Sequence, residues 1–232
     1  MDNDKKHAGN LSLLGGRPCL DFVNTLDWRG ADHPVEFLHT YQDLVAWSRH
    51  AGTISNKEAS IISQRSKKWP SKQTKVLGKA IELRETVYRI FSSLSDAKPA
   101  ATKDLAAFNK FHSRTMKNSQ IVRTKDGYNW DSRGEMAKLD WILNPLIRSA
   151  ADLLVSDELK KVKKCGDPAC GWLFLDTSRN KSRRWCDMSD CGNRAKASRF
   201  YKKKKGSNTV SSSSKVTSSP PAPKPNLDRH LL

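Results

Sequence analysis

Long hydrophobic runs are missing from this 232-residue chain. No stretch approaches the roughly 20 apolar residues that a membrane-spanning helix needs. The first 18 residues are polar apart from a short patch at Leu11–Leu14, so no signal peptide is expected. Acidic side chains are scarce, 24 against 42 Lys and Arg, which leaves a formal charge of +18 and favours polyanionic partners. Gly-rich phosphate loops, a nucleophile elbow and a catalytic dyad are all lacking. The histidines (His7, His33, His39, His50, His112, His230) are scattered without metal-ligand spacing. A non-enzymatic protein is therefore expected. Cysteine is sparse too, at five residues, and four of them crowd into one segment.

Those four, Cys165, Cys170, Cys186 and Cys191, read C-x4-C-x15-C-x4-C. Two close pairs separated by a hairpin's length suit a tetrahedral zinc ion, each pair gripping two vertices. Gly166, Gly171 and Gly192 follow three of them, where tight turns can aim backbone N–H groups at sulfur. Four thiolates fill the coordination sphere, so the expected Zn2+ is structural. Paired cysteines in a chain without an export signal also favour a reducing, cytoplasmic setting over disulfides. Cys19, the odd one out, lies in an apolar stretch and reads as a small core residue.

Positive charge is concentrated on the same segment. Residues 160–205 hold fifteen Lys or Arg and four Asp, whereas residues 1–159 hold 24 basic and 19 acidic side chains. One group precedes the first cysteine: Lys160, Lys161, Lys163 and Lys164. A second, Arg179, Lys181, Arg183 and Arg184, lies between the pairs. A third follows the last cysteine: Arg194, Lys196, Arg199 and Lys202 to Lys205. Clustered cations on a small rigid module are the electrostatic footprint of a nucleic-acid binder. Without an apolar anchor, a membrane is not the expected partner.

Gly171 to Leu175 reads as a buried strand and Asp176 to Ser182 as a polar turn, with Arg183 to Cys186 returning to the metal. Asn193 to Lys205 lacks Gly and Pro and reads as a helix. A hairpin followed by a cysteine pair at a helix start predicts a small treble-clef-like zinc finger with four cysteine ligands. Arg194, Lys196 and Arg199 could then reach base edges in a duplex DNA groove, while Lys202 to Lys205, with Lys202 and Lys203 foremost, hold phosphates. Trp172, Phe174 and Trp185 suit either base stacking or the finger's own core.

The stretch from Cys165 through Cys170-Gly-Trp-Leu-Phe-Leu-Asp-Thr-Ser-Arg-Asn and Arg183-Arg184-Trp185-Cys186 to Cys191-Gly192-Asn193-Arg194 closely resembles the CGNR zinc-finger family. Gly16-Arg17-Pro18-Cys19-Leu20-Asp21-Phe22-Val23-Asn24-Thr25 is similar to the opening of the ABATE domain, the usual companion of that finger. The resemblance covers all but the last 27 residues. It implies a bacterial, stress-related transcription regulator with a DNA-binding finger and an N-terminal domain that senses a ligand or mediates dimerisation. The expected division is residues 1–158 for that domain, 159–205 for the finger and 206–232 for a disordered Ser/Pro-rich tail.

The N-terminal domain is expected to be predominantly helical, an α+β fold with one hairpin. Thr40 caps Tyr41 to Ala51, stopped at Gly52, and Ser55 to Glu58 form a capping box. Residues 71–94 carry an apolar stripe, and Thr102 caps a further helix. Ile121–Thr124 and Tyr128–Trp130 flank a turn at Lys125-Asp126-Gly127. A helix over about 135–155 should be kinked or divided at Pro145. Near the start, Asp21, Asn24, Thr25, Trp28 and Arg29 could line a small-ligand pocket; alternatively, Asp21 or Asn24 simply caps a local turn. Two rival functions stay open: an RNA-binding or ribosome-associated zinc protein, and an N-terminal enzyme targeted by the finger.

Overall fold

The computed structural model describes residues 5–125, 127–131 and 138–208, with side chains described as far as Tyr201. The chain divides into two compact units, Met1–Asn193 and Arg194–Leu232. The expected tail, 206–232, lies almost wholly outside the described residues, as does the start of the helix expected from 135.

Among the described residues the first unit holds six α-helices: α1 (Pro18–Val23), α2 (Tyr41–His50), α3 (Asn56–Ser66), α4 (Pro70–Ser95), α5 (Thr102–Lys117) and α6 (Asn144–Leu154). The expected cap at Thr40 and capping box at Ser55 both form, and the Thr40 cap is itself a capping box. The Thr40 and Ser55 hydroxyls accept from the backbone N–H groups of Asp43 and Glu58, whose carboxylates bind back to the caps. Gly52, at φ +68°, ends the turn after α2 in a conformation that a side chain resists. One start differs from expectation, and the division expected at Pro145 occurs. Ala101 holds the N-cap position of α5 and Thr102 is its first residue. At Pro145 the chain divides: a 3-10 turn over Leu139–Leu143 gives way to α6, with Pro145 in the first turn of α6, where its missing N–H costs nothing.

The core follows the apolar stripe of α4. Val76, Ala80, Leu83, Val87, Ile90 and Phe91 are buried against Leu20, Phe22 and Val23 of α1, Leu44 and Trp47 of α2, and Leu146, Ile147 and Ala150 of α6. Phe22 and Trp47 meet at 5.3 Å between ring centroids. Each such large apolar side chain contributes about 1.5–3 kcal/mol on burial.

Among the described residues, three two-stranded antiparallel sheets decorate this core. They pair β1 (Leu26–Asp27) with β2 (Val35–Glu36), β3 (Gln120–Thr124) with β4 (Gly127–Asp131), and β5 (Val162–Lys164) with β6 (Leu173–Leu175). The second is the expected hairpin. The third corrects the finger's expected pairing: the partner of Leu173–Leu175 is the segment before Cys165, not Arg183–Cys186. Val162 sits opposite Leu175, and Val162, Leu173 and Leu175 are all buried in the main core. That burial fixes the register, because a one-residue slip would turn these side chains to the other face. Residues 183–186 run as irregular chain, tied in by a bond from Gly166 N–H to the Arg184 carbonyl at 2.8 Å.

A π-turn over Met188–Gly192 carries Cys191, the last cysteine of the second pair. The helix α7 (Asn193–Asn208) then spans the division between the units. Phe200 and Tyr201 are exposed.

Candidate metal centre and basic surface

The β5–β6 hairpin carries Cys165 and Cys170 on its connection, and the π-turn delivers Cys191 soon after Cys186. All four sulfurs lie within 4.8 Å of one another, and all four residues are buried. Cys186 Sγ is 3.5 Å from Cys170 Sγ and 3.6 Å from Cys191 Sγ. Zinc–sulfur bonds of about 2.3 Å in a tetrahedron place sulfurs about 3.8 Å apart, so this donor set fits a four-thiolate zinc ion. Four buried thiols at this separation cannot all ionise unaided. Hydrogen bonds from Cys170 and Cys186 pull the Cys165 thiol down, and that same interaction pushes Cys170 and Cys186 up. A divalent ion removes the conflict by ligating every thiolate. Cys186 N–H points at Cys165 Sγ over 3.5 Å, a backbone contact that supports the ligand.

Trp172 and Phe174 are buried in a second small cluster with the four cysteines, with Trp185 packed against it. Cys19 stands apart, 1 % exposed, its thiol pushed up to about 12 by burial. It is a core residue.

The basic groups have separate fates. Those before Cys165 are engaged internally: Lys164 Nζ bonds Asp96 Oδ2 at 2.6 Å, and Lys161 pairs with Glu158. Lys163 Nζ bonds the buried Asp176 at 2.6 Å and also donates to the Lys181 carbonyl at 2.6 Å. Asp176 organises the next loop. Its Oδ1 accepts from the Ser178 N–H at 3.0 Å and its Oδ2 from the Arg183 N–H at 3.0 Å. Burial opposes its ionisation, but the Lys163 and Ser178 bonds outweigh it and hold the carboxyl well below the usual range. Arg183 turns inward: Nε donates to the Trp185 carbonyl at 3.0 Å, another nitrogen to that of Cys186, and the guanidinium lies 4.4 Å from the Phe174 ring centre. Arg179, Lys181 and Arg184 are exposed on that same loop. On α7, Lys196 and Arg199 are exposed and Arg194 is half-buried; of Lys202 and Lys203 only the backbone is described.

The five residues proposed for a ligand pocket have partners within the chain, and several of these partners lie in the finger. Asn24 Nδ2 donates to the Leu173 carbonyl at 2.9 Å, and its Oδ1 accepts from the Leu173 N–H at 3.0 Å, so one side chain mimics a neighbouring strand. Arg29 N–H bonds the Cys170 carbonyl, and its guanidinium clamps Glu85 at 2.7 and 3.1 Å while stacking 4.0 Å from the Tyr88 ring centre. Trp28 adopts φ 55°, rare for a bulky residue, at the turn into this contact. Gly30 follows; a Cβ there would lie 1.9 Å from the Pro168 carbonyl oxygen. Thr25 Oγ1 donates to the Phe22 carbonyl and accepts from the buried Arg84, which also pairs with Glu36. Asp21 Oδ1 accepts from Gly15 N–H at 2.7 Å; burial raises its carboxyl to about 6 against the pull of that bond and of His50.

Residues 16–157 match the ABATE family model, described as a putative stress-induced transcription regulator. The chain belongs to the ABATE family. Residues 161–204 match the CGNR zinc finger, so the cysteine cluster is the structural zinc site of that finger. No curated protein matches the chain. The opening segment of the ABATE domain is thus the seat on which the zinc-bearing hairpin rests. Sequence reading missed Asp176 and Lys163 as the frame of the basic loop; an acid directly after the apolar strand was the only available signal.

Proposed function

We propose that this ABATE-family chain is a DNA-binding transcription regulator without a reaction of its own, acting in a bacterial cytoplasm under stress. The zinc finger and its basic residues would contact the duplex, and the ABATE domain would sense a ligand or mediate dimerisation. The loop strung on Asp176 and Lys163 carries the reading: it leaves Arg179, Lys181 and Arg184 exposed beside a metal-fixed scaffold. Phosphates attract such cations by counterion release, and a framed loop binds them at a smaller ordering cost. The family description supports a regulator in the same direction. Base readout falls to Arg194, Lys196 or Arg199, and phosphate clamping to the loop with Lys202 and Lys203. Arg199→Ala should relax base preference, whereas Lys203→Ala should weaken all sequences and flatten the salt dependence. Equal, sequence-blind losses from both changes would remove the readout claim, and stronger binding to RNA than to duplex DNA would replace the partner.

A further inference from the structure

The ABATE domain has a cavity lined by residues that the finger seat does not use. It has a volume of about 220 Å³ and opens between α4, α5, the 3-10 turn at Leu139–Leu143 and α6. Its inner wall is apolar: Phe111, Leu143 and Ile147 line it, the last two buried. Its rim is charged. Asp140 accepts from Lys79 at 2.9 Å and pairs with Arg114 at 3.1 Å, so one carboxylate is shared by two cations. Lys110 adds a third cation, against Glu82 as the other lining acid. An adjoining cavity of about 360 Å³ shares Lys79, Arg114 and Asp140 and brings Lys72, Lys75 and Lys138, with no further acid among the described lining residues. The combined mouth is strongly positive over an apolar floor. Clefts lined by one sign of charge concentrate small ions of the other.

We propose that this cavity binds a small organic carboxylate with an apolar ring body, its ring on Phe111, Leu143 and Ile147 and its carboxylate on Arg114, Lys79 and Lys110. The chemistry is matched on both sides. Apolar walls with a few convergent polar groups are the usual composition of a small-molecule site. A guanidinium at the rim can hold a carboxylate through two parallel bonds. Asp140 is then a built-in competitor: it occupies the two cations that the ligand needs. The proposal names the ligand class for the sensing half of the proposed function. It is independent of whether the finger binds DNA.

The test uses the full zinc-loaded chain without DNA, with 2-naphthoate as probe, followed by titration calorimetry. Saturable binding of one molecule per chain is expected. The neutral amide, 2-naphthamide, should bind at least about tenfold more weakly, as should naphthoate to Arg114→Met or Lys110→Met, each having lost a charge-assisted bond. Ile147→Phe should block the cavity. Asp140→Asn should tighten binding several-fold, a gain that a purely structural role for Asp140 cannot produce. Zinc content and unfolding midpoint, measured on every variant, identify any that fails to fold, and the two exposed rim variants carry the test in that case. Equal affinity for the amide, binding indifferent to both rim variants, displacement by inorganic phosphate alone, or no binding at about millimolar probe would each overturn the proposal. Loss of DNA binding in a separate assay would leave it standing.

Discussion

Asn24→Ala tests whether the ABATE opening segment acts as a seat for the finger. Asn24 is 3 % exposed, and its amide makes two bonds to a single residue, donating to the Leu173 carbonyl and accepting from the Leu173 N–H. Truncation strands both backbone groups at a site where Leu173 itself is fully buried. Each stranded group costs about 1–3 kcal/mol, so the loss should be about 2–5 kcal/mol, with some relief if water enters. Asn24→Asp is the harsher change, because a carboxylate would face the Leu173 carbonyl with no hydrogen to give. Urea unfolding followed by tryptophan fluorescence, at fixed excess zinc so that metal linkage is constant, reads the difference. Both variants should also release zinc faster to a chelator, since β6 is the strand that follows the Cys170 turn. A midpoint within about 0.5 kcal/mol of the parent for both would refute the seat and return Asn24 to a ligand-binding role.

Asp176→Asn keeps most of the Ser178 contacts but deprives Lys163 of its counter-charge. A loss of about 1.5–3 kcal/mol is expected, with zinc stoichiometry intact by atomic absorption and duplex affinity lowered through a looser loop; unchanged stability would show the frame to be idle. Asp21→Asn should stabilise the protein at neutral pH. The Asp21 carboxyl rises from 3.8 to about 6 on folding, so the folded state favours its proton, and the parent gains stability as pH falls from about 6 to 4. The variant's advantage, at most about 3 kcal/mol near pH 7, should therefore shrink below pH 6 and vanish below about 4; an advantage flat across that range would exclude Asp21 as its source. Chelating zinc should lower the melting temperature of the helical unit as a whole, because Val162, Leu173 and Leu175 belong to its core. A local change in Trp172 or Trp185 fluorescence without a shift in melting would contradict that coupling.

Cysteine spacing alone made the metal site legible, because four thiolates at two short separations have few other uses. The helices were legible where capping chemistry and apolar period agreed, as at Thr40, Ser55 and along α4. The pairing of β6 was hidden because Val162 stands among four lysines, and the charge masked a strand whose alternate face is buried. The contacts of the opening segment were hidden for a related reason. Polar residues next to apolar ones suggested a pocket wall, but Asn24 and Arg29 face Leu173, Cys170 and Glu85, contacts about 55 to 150 residues away in sequence. No local pattern encodes such partners. Arg183 shows the same limit in the finger: its charge matches its neighbours in sequence, yet its guanidinium lies over Phe174.

Selection from a random duplex library by the zinc-loaded protein tests the central claim most directly, at about physiological salt, where non-specific binding is weakened. The account predicts a recovered sequence motif that disappears when Cys186→Ser removes one zinc ligand. Retention of duplexes without any motif, or the same motif recovered by Cys186→Ser, would contradict a zinc-organised DNA reader.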